Sequence, residues 1–295
     1  MNSFALGDHG DRTTPWSPSA REREREIYRK SLHARKRVIA LISTVLVLGT
    51  FSAILLTSPG WESVKTTFFD IDYGREVLPT VIRGLVVNIQ LTLIGGVAIG
   101  IIALALALLK TTKSPALTPF RFIATAYIDI FRGAPLILII LLVGFGVPAL
   151  RIQGLTNNVI VLGTIAVVLT YSAYVAEVIR SGILSVHQSQ RAAARSLGLT
   201  SRQTMRYVVL PQAIRRVIPP LLNDFVSLLK DTGLVSILGV TDAVRAAQIN
   251  ASRTFNYTPY VVAAILFLLI TIPLTRFIDR QIRLRSEKQN SEGLA

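Results

Sequence analysis

The chain has 295 residues, 51% of them hydrophobic and only 17% charged, with a mean hydropathy of +0.51, a composition that belongs in a membrane. A net charge of +15 would suit nucleic acid if the basic residues shared one soluble face, but here they sort by membrane side, so a nucleic-acid partner is set aside. There is no cysteine, which excludes disulfides and thiolate metal sites, and His9, His33 and His187 are too scattered to suggest a metal cluster.

Residues 1–37 form a basic tail. Gly, Asp, Ser, Thr and Pro come first, followed by "REREREIYRKSLHARKR" from Arg21 to Arg37. Alternating charges bury no core, so the first part is expected to be disordered and the second a solvated or membrane-surface helix. Crossing about 30 Å of hydrocarbon takes about 20 helical residues. The first run of that length is Val38 to Leu56. It is preceded by a long basic tail and followed by no A-x-A-like cleavage site, which reads as a retained anchor. The outer loop Thr57 to Arg83 is too short and irregular to be a binding domain.

The second run, Gly84 to Leu109, holds Gly96 and Gly100 in a G-x-x-x-G spacing, a signal for close helix packing. Gly95 and Gly100 also begin a phosphate-loop pattern, but Ile101 stands where the lysine would be, so the chain has no such loop. Gly133 to Leu150 and Ile152 to Ala176 follow, then Val217 to Val240 and Tyr257 to Thr275. The run Val217 to Val240 contains Asp224, Lys230 and Asp231, and is expected to face protein or water rather than lipid. The expected fold is an all-α membrane protein with six transmembrane helices. With the N-terminus inside, the cytoplasmic segments carry 24 of the 32 Lys and Arg residues and the outer ones six, which places both termini in the cytoplasm. The layout is a tail (1–37), an extra span and loop (38–83), a main transmembrane domain (84–282) and a C-terminal tail (283–295).

Between the fourth and fifth of these apolar runs lies "RAAARSLGLTSRQTMRYVVLP", Arg191 to Pro211, with four arginines and no acid. Good helix formers lead to Gly198, suited to the left-handed turn that ends a helix. Thr200 or Ser201 can cap a second helix, which Pro211 stops or leads into the next span. Ala193 and Leu197 share a face, as do Met205, Val208 and Val209. Pattern alone supports equally a helix pair lying on anionic lipid and a protrusion that docks a partner.

Asp224 and Asp231, seven residues apart, share a face with Asn223, Ser227 and Thr232 nearby. They suit a polar translocation lining, or an interhelical or inter-subunit pair involving Lys230. Arg132, beside Gly133 and Pro135, either pairs with Asp129 or gates. Pro135 bends or starts the apolar helix there. Glu177 reads as an interfacial anchor paired with Arg180 or with a partner chain. No Ser, His and Asp set or carboxylate pair offers a catalytic constellation, so the chain is not read as an enzyme.

The stretch from Arg191 resembles the EAA loop of ABC importer permeases, on Ala193, Ala194, Gly198, Val208, Leu210 and Pro211, with Ala192 in place of the glutamate. "FRGAPLILI" (Phe131 to Ile139), "YVAEVIRSGILSV" (Tyr174 to Val186), "LLKDTGLVSILGV" (Leu228 to Val240) and "RAAQINASRTF" (Arg245 to Phe255) are similar to permeases of the polar amino acid, histidine and glutamine type. The similarity runs from about Leu78 to Arg285. The chain departs from the family at Gly233, where serine is usual, at Asp242-Ala243 in place of Glu-Leu, and in its extra first span.

The resemblance implies a type I importer domain over 84–282 in the inner membrane of a prokaryote. It implies a permease homodimer or heterodimer, two copies of a separate ATPase subunit that bind the ATP and Mg, and an extracytoplasmic amino-acid-binding protein. No cofactor is expected in this chain, and its remaining partner is membrane lipid. By the same resemblance, ATPase coupling falls to Arg191, Ala193, Ala194, Gly198, Thr200, Leu210 and Pro211. The substrate pathway or gate would use Arg132, Asn223, Asp224, Ser227, Lys230, Asp231 and Thr232. Two other readings compete: an ion-gradient-driven secondary transporter with Asp224, Lys230 and Asp231 as coupling groups, and a non-transporting membrane scaffold.

Overall fold

The computed structural model describes residues 19–112 and 114–292. The disorder expected at the start of the tail therefore falls almost wholly outside the described residues. Among these, every regular element is helical. The chain divides into two compact units, Met1–Ser63 and Val64–Ala295.

The first unit contains α1 (Ala20–Leu56), where Ser19 and Glu22 form a reciprocal capping box, so the helix begins where two backbone donors are satisfied. The basic run and the first apolar run, expected as separate elements, are one unbroken helix. Its apolar part, Arg35–Leu56, carries no buried residue.

A short α2 (Trp61–Phe68) precedes α3 (Ile71–Thr111). The expected outer loop to Arg83 is thus mostly helix. Asp70 caps α3 by accepting from the Tyr73 N–H at 3.0 Å, and Val77, Val81 and Leu85, at helical spacing, are buried against Ala243, Ala247 and Ala263. Arg75, Glu76 and Arg83 lie on the exposed face, which is why hydropathy alone began the helix too late, at Gly84.

The expected span Gly133 to Leu150 is the second half of a broken pair, α4 (Thr118–Gly133) and α5 (Leu136–Ala149), bent by 108°. Ala134 is extended and Pro135 caps α5, as the restriction on the residue before proline dictates. Next, α6 (Val159–Leu184) starts at Asn158, whose side chain accepts from the N–H groups of Ile160 at 2.9 Å and Val161 at 3.4 Å. It therefore begins later than Ile152 and ends later than Ala176.

The remaining elements are α7 (Gln188–Ser196), α8 (Ser201–Thr204), a π turn (Met205–Val209), α9 (Leu210–Asp231), a 3-10 segment (Thr232–Leu238), α10 (Ala243–Thr254) and α11 (Thr258–Glu292). The C-terminal tail, where described, continues α11. Four helical segments among the described residues are long and apolar enough to cross a membrane, namely Arg35–Leu56, Trp61–Thr111, Val159–Leu184 and Thr258–Leu284. The bent α4–α5 pair makes a fifth if it is taken as one span. The helix α9, laden with Arg215, Arg216, Asp224, Lys230 and Asp231, is not among them.

The main core joins α3, α4, α5, α6 and α9 around Ile99, Ile128, Ile140, Ala166 and Leu228. Close approach is made at glycines, though not at the expected pair. Nothing lies within 4 Å of a Cβ built on Gly100, and Gly96 meets only side chains. At Gly84 an added Cβ would sit 2.5 Å from the Asp242 carbonyl oxygen and the Ala243 nitrogen, because the start of α10 crosses α3 there. One turn along, the fully buried Asn88 binds the same junction. Its Nδ2 donates to Asp242 Oδ2 at 2.9 Å and Thr232 Oγ1 at 3.3 Å, and its Oδ1 accepts from the Ala243 N–H at 3.1 Å. Asp242 in turn caps α10 through the Arg245 N–H at 2.8 Å. Away from water such a network holds only while each member is satisfied.

Replacing Asn88 with Ala leaves Asp242 and Thr232 short of a partner, a cost of about 1–3 kcal/mol. Thermal unfolding in detergent is expected to show a lowered midpoint for Asn88→Ala and for Gly84→Ala, and an unchanged one for Gly100→Ala.

Candidate functional site

Two short helices between α6 and α9 form a knuckle. His187 opens α7 by accepting from the Ser189 N–H at 3.2 Å. The helix closes with two backbone bonds, Leu199 N–H to Ala194 O at 3.2 Å and Gly198 N–H to Arg195 O at 3.0 Å, around Gly198 at φ +83°. This is a Schellman ending, and its left-handed residue carries no Cβ penalty when it is glycine. Thr200 then opens α8 with a capping box shared with Gln203. Helical backbone runs from there through the π turn into α9, with Pro211 in its first turn, where no N–H is needed. Pro211 therefore marks the entry to α9 rather than a stop.

Two arginines tie the knuckle to the end of α6. Arg191 donates from Nη2 to the Ile183 carbonyl. Arg216, on α9, donates to the Ser185 carbonyl and, at 3.0 Å, to Ser185 Oγ. Both satisfy acceptors at a helix C-terminus, where positive charge is favoured. Beneath them Ile183, Val186, Val209 and Ala213 pack as a small core, and Val217 lies on Gly182, where an added Cβ would overlap it.

Of the seven residues expected to couple, Gly198 and Thr200 form the turn, Arg191 braces it and Ala194 is buried. Ala193, Leu210 and Pro211 are exposed. Above the knuckle, Glu177 of α6 accepts from Arg180 Nε at 2.9 and 3.0 Å and from Lys110 Nζ at 3.4 Å, which fastens the end of α3 to α6. The pairing with Arg180 is as expected; Lys110 is an added partner.

The expected pathway residues do not all meet. Asp231 accepts from the Tyr171 hydroxyl at 2.6 Å. Asp224, one face along, has a buried Oδ2 with no hydrogen-bond partner, and it lines a cavity of about 180 Å³ with Tyr171, Phe225, Gly96 and Gly100. Gly96 and Gly100 thus leave space beside α9 instead of drawing two backbones together. Thr232 points elsewhere, into the Asn88 junction. Asn223 and Lys230 are exposed, Ser227 is half-buried, and Lys230 makes no ion pair with Asp224 or Asp231. Arg132 does not pair with Asp129. Its guanidinium lies 5.9 Å over the Tyr174 ring, and Tyr174 donates to the Arg132 carbonyl at 3.1 Å. Tyr174 also contacts Tyr171, with ring centroids 6.4 Å apart, so α6 carries a line of contacts from Arg132 to Asp231.

Tyr171, Lys110, Arg216 and Asn88 escaped the sequence reading because each acts through a partner far along the chain. Asn88 and Tyr171 leave only the signal of a polar group within an apolar run, and Lys110 and Arg216 only that of a basic residue at the edge of one.

Residues 116–284 match the family described as "Binding-protein-dependent transport system inner membrane component". The chain is 30% identical over 224 residues to the arginine transport system permease protein ArtQ of Bacillus subtilis (strain 168), covering 75% of this chain and 99% of that protein. It is 36% identical over 178 residues to the probable glutamine ABC transporter permease protein GlnM of the same organism, covering 59% of this chain and 79% of that protein. Its backbone is similar to a solved structure titled "Crystal structure of an amino acid ABC transporter with histidines", with TM-score 0.64, 34% identity, and 70% of this chain and 94% of that one covered. With its matched region spanning most of the helices that build the knuckle and the cavity, the chain belongs to the family of binding-protein-dependent transport system inner membrane components.

Proposed function

We propose that this chain is the membrane-spanning permease subunit of an ATP-binding-cassette importer for polar amino acids. The single observation that carries the reading is the construction of the knuckle, a rigid helix pair braced to α6 and continuous with α9. A force applied to it turns both helices together, the rigid-body device that alternating access needs. The matched relatives, permeases of amino acid transport systems by their names, support the same reading. In it the knuckle sits in a separate ATPase subunit, of which two copies serve a permease dimer, homomeric or heteromeric. ATP and Mg²⁺ belong to that subunit. An extracytoplasmic amino-acid-binding protein delivers the substrate.

Membership of the family makes the chain a multi-pass inner-membrane protein. We further place both termini in the cytoplasm, from the Lys and Arg asymmetry. We also count six crossings, taking the α4–α5 pair as one and α9 with its 3-10 segment as another, its carboxylates turned to the pathway. The ion-gradient reading required Asp224, Lys230 and Asp231 as one group, and the exposed, unpaired Lys230 argues against it.

Uptake in membrane vesicles is expected to need ATP and to persist when ion gradients are collapsed; dependence on the gradient with indifference to ATP would contradict the assignment. Gly198→Val places a β-branched residue at φ +83°, a strain of about 1–2 kcal/mol on the turn. It is expected to abolish ATP-driven uptake and co-purification of the ATPase while the variant still inserts. Asp224→Ala with Asp231→Ala is expected to lower uptake at least about tenfold while the ATPase still co-purifies, since one buried carboxylate is unpartnered and the other is held by Tyr171. Unchanged uptake in the double variant would remove both aspartates from the pathway.

A further inference from the structure

The knuckle's arginines are not equivalent. Arg191 turns inward onto the Ile183 carbonyl. Arg195, Arg202 and Arg206 are exposed and make no ion pair with a described residue, Arg206 resting 5.8 Å over its neighbour Tyr207. From Val178 to Asn223 the chain has no Asp or Glu, so no acid nearby in the sequence neutralises the three. Among them stands Leu197, 81% exposed, immediately before the turn at Gly198.

A helix that lies on lipid needs an apolar face left over for the acyl chains, opposite its cations. Here Ala194 and Val209 are turned inward, Val209 against Ile183, Val186 and Ala213. The apolar side chains left outward are interleaved with the cations, Met205 and Tyr207 flanking Arg206 and Leu197 two residues from Arg195, so no separate acyl-chain face stands opposite the charges. What remains outward is Leu197, the most exposed of the knuckle's apolar side chains, with Tyr207, Met205 and Leu210 less exposed, set among uncompensated cations. This is the anatomy of a protein interface, an apolar anchor within a charged rim.

We infer that the surface receiving the knuckle is acidic, an ATPase-subunit cleft whose carboxylates surround an apolar pocket for the Leu197 side chain. The inference rests on the coupling role proposed above and adds the chemistry of the partner. Because this loop supplies only cations, the charge complement falls to the ATPase, and it sets both the rate of docking and the rejection of ATPase subunits built for other loops.

The test uses the full chain in phosphatidylcholine nanodiscs and, as probe, the ATPase subunit that co-purifies with it. Three proteins are compared, namely wild type, the triple variant Arg195→Glu, Arg202→Glu, Arg206→Glu, and the triple variant with lysine at the same positions. The reversed charges are expected to weaken binding by more than about tenfold and the lysines by less than about threefold, with wild-type affinity falling as NaCl is raised. Leu197→Ser is expected to weaken binding without changing the salt dependence. Equal thermal unfolding midpoints guard against misfolded variants. Binding that is indifferent to salt and within about twofold of wild type after charge reversal overturns the inference. A loss seen only in anionic nanodiscs and absent in phosphatidylcholine also overturns it, since the arginines would then hold lipid. If no ATPase subunit accompanies the wild-type chain, the importer assignment itself fails before any variant is made.

Discussion

Two arginine side chains, Arg191 of α7 and Arg216 of α9, reach the last carbonyls of α6, and the rest of the site depends on that attachment. A helix end exposes acceptors that the helix cannot fill itself. Filling them from α7 and α9 joins three helices at one point. Without this joint, nine residues of α7 and a four-residue α8 would be too short to hold their shape in water. With it, the Schellman turn at Gly198 and the capping box at Thr200 become a stiff corner instead of a flexible loop. The Lys110–Glu177–Arg180 cluster extends the joint to α3, so a push on the corner reaches the helix that forms the longest seam of the core.

The membrane interior sets a different condition. There the chain allows buried polar groups only where each is answered, as at Asn88, whose amide meets Thr232, Asp242 and the backbone of Ala243. The Asp224 oxygen that has no partner is the exception, and it lies at a cavity beside Tyr171 and Asp231. A carboxylate left unanswered at depth is costly unless water or a ligand reaches it. That cost is the physical basis for reading the cavity as part of a pathway, whereas the Asn88 junction reads as structure.

Much of this was legible in the sequence, and unevenly. The knuckle could be drawn in advance because its signals are local: glycine at the left-handed turn, threonine and glutamine three apart, and proline in the first turn of α9. The helical class and the apolar runs followed from hydropathy. Boundaries did not, because α3 begins under a face that mixes Arg75 and Glu76 with buried Val77 and Val81, and a hydropathy window averages the two. The break at Ala134 and Pro135 was visible, yet its 108° angle depends on what α4 and α5 pack against. Gly96 and Gly100 matched a packing motif, while the closest backbone approach came at Gly84, where only the distant Asp242 reveals the need. The expected Arg132–Asp129 pair yielded to Tyr174, which lies a helix away and presents a ring face to the guanidinium.

The central claim is mechanical: α7 and α8 move as one body with α6 and α9. With no cysteine in the native sequence, spin labels can be placed cleanly at Ser196→Cys on the knuckle and Ile214→Cys on α9, both exposed positions. Their separation should be measured in the assembled transporter with and without ATP. The account predicts that the distance within one chain stays fixed while the distance between the Ser196 labels of a permease homodimer, or between Ser196 and a label on the sibling permease, changes. A distance within the chain that shifts with ATP, while the distance between permease subunits does not, would contradict it.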